Sequence, residues 1–176
     1  IRKTMNLPAT LQLAVDDGVA TITFDRQQAR NALDVTMLDA LLPLLERVGH
    51  DDAVRAVVLT GAGDRAFSAG GDISGIPTSA LDGHDALARH IEHWAQSARV
   101  LHTMPKSTLA VLDGVASGAG MALALACDLR IGTPNARFLT AFARIGISGD
   151  FGGSYFLTHL VGPARARELY WMSEAV

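Results

Sequence analysis

The chain is poor in cysteine. Of its 176 residues only Cys127 is one, so no internal disulfide can form, and a reducing compartment, the cytoplasm, is expected. It also lacks a block of like charge. Its 15 Lys and Arg stand against 18 Asp and Glu, a net charge of −3, and no basic stretch is available to track a phosphate backbone, so nucleic acid is not an expected partner. No apolar run approaches the roughly 20 residues of a membrane-spanning helix, and the first residues do not show a secretory leader pattern. No membrane partner is expected.

What is present is apolar and globular. Hydrophobic residues make up 49% of the chain and mean hydropathy is +0.23, enough for one domain with a sizeable core. A single domain over residues 1–176 is expected. Ile1 opens the chain and Glu174-Ala175-Val176 close it soon after a helical pattern, so both ends are expected to be cut from a longer protein.

Residues 11–15 and 19–24 alternate around Asp16-Asp17-Gly18, a hairpin signal. Asp34 can N-cap a helix with apolar positions at Met37, Leu38, Leu41, Leu42, Leu45 and Val48. Pro43 should kink or break it. Residues 55–60 and 108–112 read as buried strands, and 84–104 as a helix ended by Pro105. Residues 74–83, rich in Gly, Pro, Ser and Thr, read as a mobile loop. Residues 121–126 form an apolar helix, 129–131 and 137–139 short strands, and two helices follow, one opened by Gly152-Gly153 and one by Pro163. This order predicts an α/β fold with a largely parallel sheet.

Two small-residue loops stand out: Ala66-Phe67-Ser68-Ala69-Gly70-Gly71-Asp72-Ile73 and Asp113-Gly114-Val115-Ala116-Ser117-Gly118-Ala119-Gly120. Loops so free of side chains let a ligand approach the backbone. Paired N–H groups aimed at one point can hold a carbonyl oxygen as it becomes negative. With Ala126-Cys127-Asp128, Asn31-Ala32-Leu33 and Gly152-Gly153 followed by Leu160-Val161-Gly162, these motifs resemble the enoyl-CoA hydratase/isomerase (crotonase) superfamily, in family order from about residue 11 onward.

The resemblance implies a crotonase-like (ClpP/crotonase) fold, in which repeated β-β-α units form two roughly perpendicular sheets wrapped by helices. It implies acyl-CoA thioester substrates, with coenzyme A as part of the substrate and no separate cofactor or metal. It implies a homotrimer or a hexamer made of two trimers. The oxyanion donors would be the N–H groups of Gly71 and Ala119. Coenzyme A would lie along Gln28, Ala29 and Arg30 and the backbone of Ala66, Ser68 and Ala69, with Gly71, Asp72 and Ile73 at the thioester end. The C-terminal helices that cap the site in the family are missing from this sequence.

The departures are equally informative. Hydratases of the family carry two glutamates, at the positions matching Ala122 and Phe142; neither residue here can move a proton. Asp150, in Ile147-Ser148-Gly149-Asp150-Phe151-Gly152-Gly153, stands where related isomerases place their base. Flanked by Gly149 and Phe151 it would be partly desolvated, which raises a carboxyl pKa; Asp150 could also be only an N-cap. An isomerase using Asp150 is the leading expectation. A hydratase, a CoA-ester hydrolase or lyase, and a non-catalytic acyl-CoA-binding protein are the alternatives.

Other residues have plainer readings. Asp72 could be a second base, with capping of the following turn the preferred role. His90 and His93 read as a solvated helix face, Cys127 as core, and Asp128 and Arg130 as structural polar contacts. Trp94, Tyr170 and Trp171 are expected to pack, and Arg165 and Arg167 to lie on a solvated face.

Overall fold

In the computed structural model, residues 6–72, 74, 84–149 and 151–176 are described, with the side chains of 84–87 excepted. Three sequence readings therefore lie outside the described residues: Ile73, Asp150 and all of the 74–83 loop except Ser74.

Four strand pairs each lead to a helix: β1 (Leu11–Asp16) and β2 (Val19–Phe24) to α1 (Val35–Gly49); β3 (Ala56–Gly61) and β4 (Ala66–Ser68) to α2 (His84–Thr103); β5 (Ser107–Leu112) and β6 (Val115–Ser117) to α3 (Gly118–Ala126); β7 (Leu129–Gly132) and β8 (Arg137–Leu139) to α4 (Gly153–Val161). A last helix, α5, covers Pro163–Met172. The strands sort into two sheets. β1-β2-β3-β5-β7 form the larger, antiparallel only between β1 and β2, and β4-β6-β8 form a parallel three-stranded sheet. From the second unit on, the first strand of each pair enters the large sheet and the second the small one. The crotonase-like fold of repeated β-β-α units expected from the motifs is the fold of the chain.

The hairpin turns where expected, with Asp17 and Gly18 both at positive φ (41° and 74°). The small-sheet strands β4 and β6 lie inside what reads as two loops. At three residues each they are too short to show alternation, and apart from Phe67 their side chains are only Ala, Ser and Val. The helix after the second loop also starts three residues earlier than its apolar run, at Gly118.

Pro43 does not break α1, which runs continuously through it. Proline removes one backbone bond and costs about 3 kcal/mol in a helix interior. Both Pro43 and Asp39, whose carbonyl is freed, are exposed, so water can take that bond. Met37, Leu38, Leu41, Leu42, Leu44, Leu45 and Val48 remain buried and hold the helix down.

The core is formed by the two sheets and helices α1–α5. Phe24 of the large sheet meets Phe67 of the small sheet edge-on, ring centroids 5.6 Å apart at 83°, and both are fully buried. Trp94 packs from α2 and donates its indole N–H to Asp39 at 2.7 Å. Trp171, expected to pack, is 76% exposed: α5 turns Ala166 and Leu169 inward, and a residue two after Leu169 falls on the far face. Among the described residues no helix is long and apolar enough to cross a membrane.

Phe67→Ala should destabilise the protein by about 3–5 kcal/mol, the usual cost of emptying a fully buried aromatic site. Urea unfolding of the two proteins measures this; a loss below about 1 kcal/mol would mean that the two sheets are not joined through this ring pair.

Candidate functional site

Every residue of α3 is buried, including the first. A helix start leaves its first N–H groups without intrahelical partners, and side-chain caps normally take them. Ser117, at the cap position, makes no such bond. The N–H of Ala119 accordingly has no hydrogen-bond partner among the described residues. A buried donor at the positive end of a helix is a place for a negative oxygen.

The second donor comes from the neighbouring strand. β4 and β6 run parallel, Ala66 beside Val115 and Ser68 beside Ala116, so the loops after their carboxyl ends leave the sheet side by side. Gly70 has φ +97°, and a Cβ there would sit 2.9 Å from the Ser117 carbonyl and 3.5 Å from the Ala119 nitrogen. Gly120 faces back: a Cβ on it would lie 2.6 Å from that of Ser68. Only glycine lets the loops approach this closely. Gly71 follows, exposed, with nothing within 4 Å of a would-be Cβ and no partner for its N–H among the described residues.

Residues 26–34 fix this first loop from behind. Leu33 and Gly71 form an isolated parallel bridge, with Leu33 N–H donating to the Gly70 carbonyl at 2.8 Å and Asp72 N–H to the Leu33 carbonyl at 2.9 Å. Ala69 N–H donates to the Arg30 carbonyl at 2.9 Å. Asn31 is buried at φ +55°; it accepts from Arg26 N–H and donates to the carbonyls of Ala62 and Ala66. Ser68 donates to the Asn31 carbonyl at 2.8 Å and accepts from Gly70 N–H at 3.2 Å.

Of the expected coenzyme A contacts, Gln28, Ala29 and Arg30 form and follow a short 3-10 turn, and the bond from Ala69 N–H to the Arg30 carbonyl joins the end of that turn to the first glycine loop. Ala66 and Ser68 are buried, and Ser68 spends its hydroxyl within the protein. The sequence reading missed Asn31 as the organiser; its left-handed φ, which asparagine tolerates better than most residues, has no signature before the fold is known.

Asp72 caps the turn, as preferred. One oxygen accepts from the N–H and hydroxyl of Ser74, at 3.0 and 2.6 Å, and the other takes Arg26 Nη1 at 2.6 Å. The Ser74 hydroxyl, then the Arg26 guanidinium, hold its carboxyl below the usual carboxylate range. It therefore stays ionised and acceptor-only, unsuited to carry a proton.

The two positions matching the hydratase glutamates are apolar and enclosed. Ala122 is fully buried, its Cβ 3.3 Å from where one on Gly153 would stand. Phe142 stacks on Tyr170, centroids 6.1 Å apart and 9° from parallel, with its ring edge 3.8 Å from a would-be Cβ on Gly118. Phe151, next to Asp150, is buried at φ +50°, an uncommon backbone state for a bulky residue.

The chain belongs to the enoyl-CoA hydratase/isomerase family. Its family model, Enoyl-CoA hydratase/isomerase, matches residues 14–176. A 4-chlorobenzoyl coenzyme A dehalogenase-2 of an Arthrobacter species is 41% identical over 155 residues, 86% of this chain and 55% of that protein. The 1,2-epoxyphenylacetyl-CoA isomerase of Escherichia coli K12 is 35% identical over 156 residues, 88% of this chain and 59% of its own. A crystal structure from Streptomyces coelicolor A3(2), described as an enoyl-CoA hydratase, superposes with a TM-score of 0.91 at 36% identity, covering 99% of this chain and 64% of that one. The chain thus spans somewhat over half the length of these family members.

The remaining polar residues are structural. Asp128 accepts from the N–H and hydroxyl of Thr108, at 2.7 and 3.0 Å. Arg130 Nη1 donates to the carbonyls of Cys127 and Leu125, at 2.7 and 3.2 Å, capping the C-terminal end of α3. Cys127 is buried, and burial pushes its thiol up to about 12, which leaves it inert. His90 and His93 are exposed, with His90 against Trp94, and among the described residues no three His, Cys, Asp or Glu side chains gather as a metal site would require. Arg165 pairs with Glu168 on the exposed face of α5. An apolar cavity of about 220 Å³ lies between Met121, Leu125, Leu157, Leu160 and Leu169.

Asp72 sets a pH dependence. Its folded pKa lies below the unfolded value of about 3.9, so its contribution to stability is complete above that value and is lost as pH falls through the folded one. The stability gap between the wild type and Asp72→Asn should be constant near neutrality and close below about pH 4. Urea midpoints across pH 3–7 check this; a gap that widens toward acid would contradict the assigned ionisation.

Proposed function

We propose that the full-length protein is an enoyl-CoA isomerase that holds the thioester oxygen between the N–H groups of Gly71 and Ala119 and moves a proton with Asp150. The observation that carries this reading is the pair of N–H groups without a partner among the described residues, one at the buried start of α3 and one on the adjoining glycine loop, together with the apolar Ala122 and Phe142 at the positions matching the hydratase glutamates. The coenzyme A arm would lie along Gln28, Ala29 and Arg30 and the backbone of Ala66, Ser68 and Ala69, with Gly71, Asp72 and Ile73 at the thioester.

The two donors would polarise the C=O and acidify the carbons conjugated with it. Asp150 takes a proton from one carbon of the acyl chain, the electron pair spreads onto the thioester oxygen as a dienolate, and the same carboxyl returns the proton two carbons away. No water enters the balance, and one acid suffices. Phe142 on Tyr170 keeps the wall by Gly118 apolar, which disfavours an ordered water there. Two family members act, by their names, on chlorobenzoyl and epoxyphenylacetyl thioesters, and a ring-bearing acyl group suits such a wall. Hydration is the second reading, favoured by the likeness to the Streptomyces structure; Asp150 would then both activate water and deliver the proton. For assembly we propose a homotrimer or a pair of trimers, to which exposed Leu129, Ile131, Trp171 and Met172 would contribute contact surface.

Asp150→Asn keeps the size of the side chain and removes its base. Deuterium wash-in at the α and γ carbons of an enoyl-CoA should slow by at least the roughly 10²–10⁴ of a general base, while thioester binding persists. Undiminished exchange in the variant would assign the base elsewhere, and a product heavier by one water would select hydration. Gly71→Pro, which removes a donor, should cost about 10²–10³ in kcat; full activity of that variant would remove Gly71 from the site.

A further inference from the structure

An oxyanion donor works only if it is aimed, and residues 69–71 carry no side chain that could aim it. The aim of the Gly71 N–H is set by its own peptide unit. That unit's carbonyl, on Gly70, is held by Leu33 N–H, and in a trans peptide the N–H points the opposite way. The direction of the donor therefore depends on the two-residue bridge between Leu33 and Gly71 staying closed.

One cation closes it. Arg26 Nη1 donates to the Ala32 carbonyl at 3.2 Å and to Asp72 Oδ2 at 2.6 Å, and its Nε lies 3.4 Å from Asp34 Oδ2. Ala32 and Asp34 flank Leu33, and Asp72 follows Gly71, so a single guanidinium grips both sides of the bridge. The Arg26 and Asp72 side chains are only 22% and 11% exposed, so the pair is largely withdrawn from water, where charge-assisted bonds hold geometry best. Its backbone is tied too: Arg26 N–H donates to Asn31 Oδ1, and its carbonyl accepts from Ala29 and Asn31 N–H.

We infer that Arg26 is a positioning residue for the oxyanion donor: through Asp72 and Ala32 it locks the Leu33–Gly71 bridge and thereby fixes the direction of the Gly71 N–H. The inference rests on the proposed role of that N–H toward the thioester oxygen. It assigns the Arg26–Asp72 pair a function in turnover, beyond the stability the pair contributes.

The test uses the full-length protein with Arg26→Gln, Asp72→Asn and the double variant. Two ligands separate aiming from folding: 4-dimethylaminocinnamoyl-CoA, whose absorption moves to longer wavelength when its carbonyl is polarised, and an S-alkyl-CoA thioether, which has no carbonyl. Arg26→Gln should reduce the absorption shift and lower kcat on the order of 10²-fold, as a misaimed group does, while thioether affinity stays near that of the wild type. The double variant should cost no more than the worse single one, because both break the same contact, and Arg26→Lys, which can still reach Asp72, should recover part of the shift. If Arg26→Gln does not fold, Asp72→Asn, which removes the charge and keeps the shape, carries the same expectation for the absorption shift and for kcat. A full shift and full kcat in either variant would overturn the inference, as would an equal loss of thioether and chromophore binding. Absence of any shift in the wild type would instead overturn the oxyanion role of Gly71, and this inference with it.

Discussion

The parallel packing of β4 against β6 is the constraint on which the site depends. Two adjacent parallel strands end at the same edge, so whatever follows them emerges side by side. Here the first is followed by Ala69-Gly70-Gly71 and the second by the start of α3. The glycines at 70 and 120 let the two backbones close to a distance that any Cβ would prevent. Burial of the whole of α3 then leaves the Ala119 N–H in a dry setting, where an electrostatic contact is stronger than in water, beside the exposed N–H of Gly71.

That arrangement explains the division of labour around it. The polar residues nearest the loops, Asn31, Ser68, Asp72 and Arg26, bond to backbone or to each other; they hold the shape and leave the two N–H groups unspent. The far end of α3 is closed by Arg130 on its last carbonyls, which satisfies the negative end of the helix dipole, whereas the positive end carries no side-chain cap. With Ala122 and Phe142 apolar, neither of the positions matching the hydratase glutamates can move a proton, and Phe151 holds an uncommon positive φ for a bulky residue.

Much of this was legible in the amino-acid sequence where local chemistry decides the outcome. The Asp17-Gly18 turn, the Asp34 cap of α1 and the two glycine loops each follow from what their residues can do alone. What was not legible depends on partners far along the chain. The strands β4 and β6 are three residues long and exist because they pair with each other. Asp72 reads correctly as a turn cap, but its bond to Arg26, 46 residues away, leaves no local mark. Pro43 misleads because a local rule against helix is outweighed by buried leucines on the opposite face. Trp171 misleads because size alone suggests packing, whereas helix phase places it outward.

The central claim is that the amides of Gly71 and Ala119 converge on one thioester oxygen. A crystal structure of the full-length Asp150→Asn protein with an enoyl-CoA tests it most directly, since the variant is expected to bind without turning over. The account predicts the carbonyl oxygen within about 2.7–3.1 Å of both nitrogens, with the acyl chain against Phe142. A bound thioester whose oxygen reaches neither amide would contradict it.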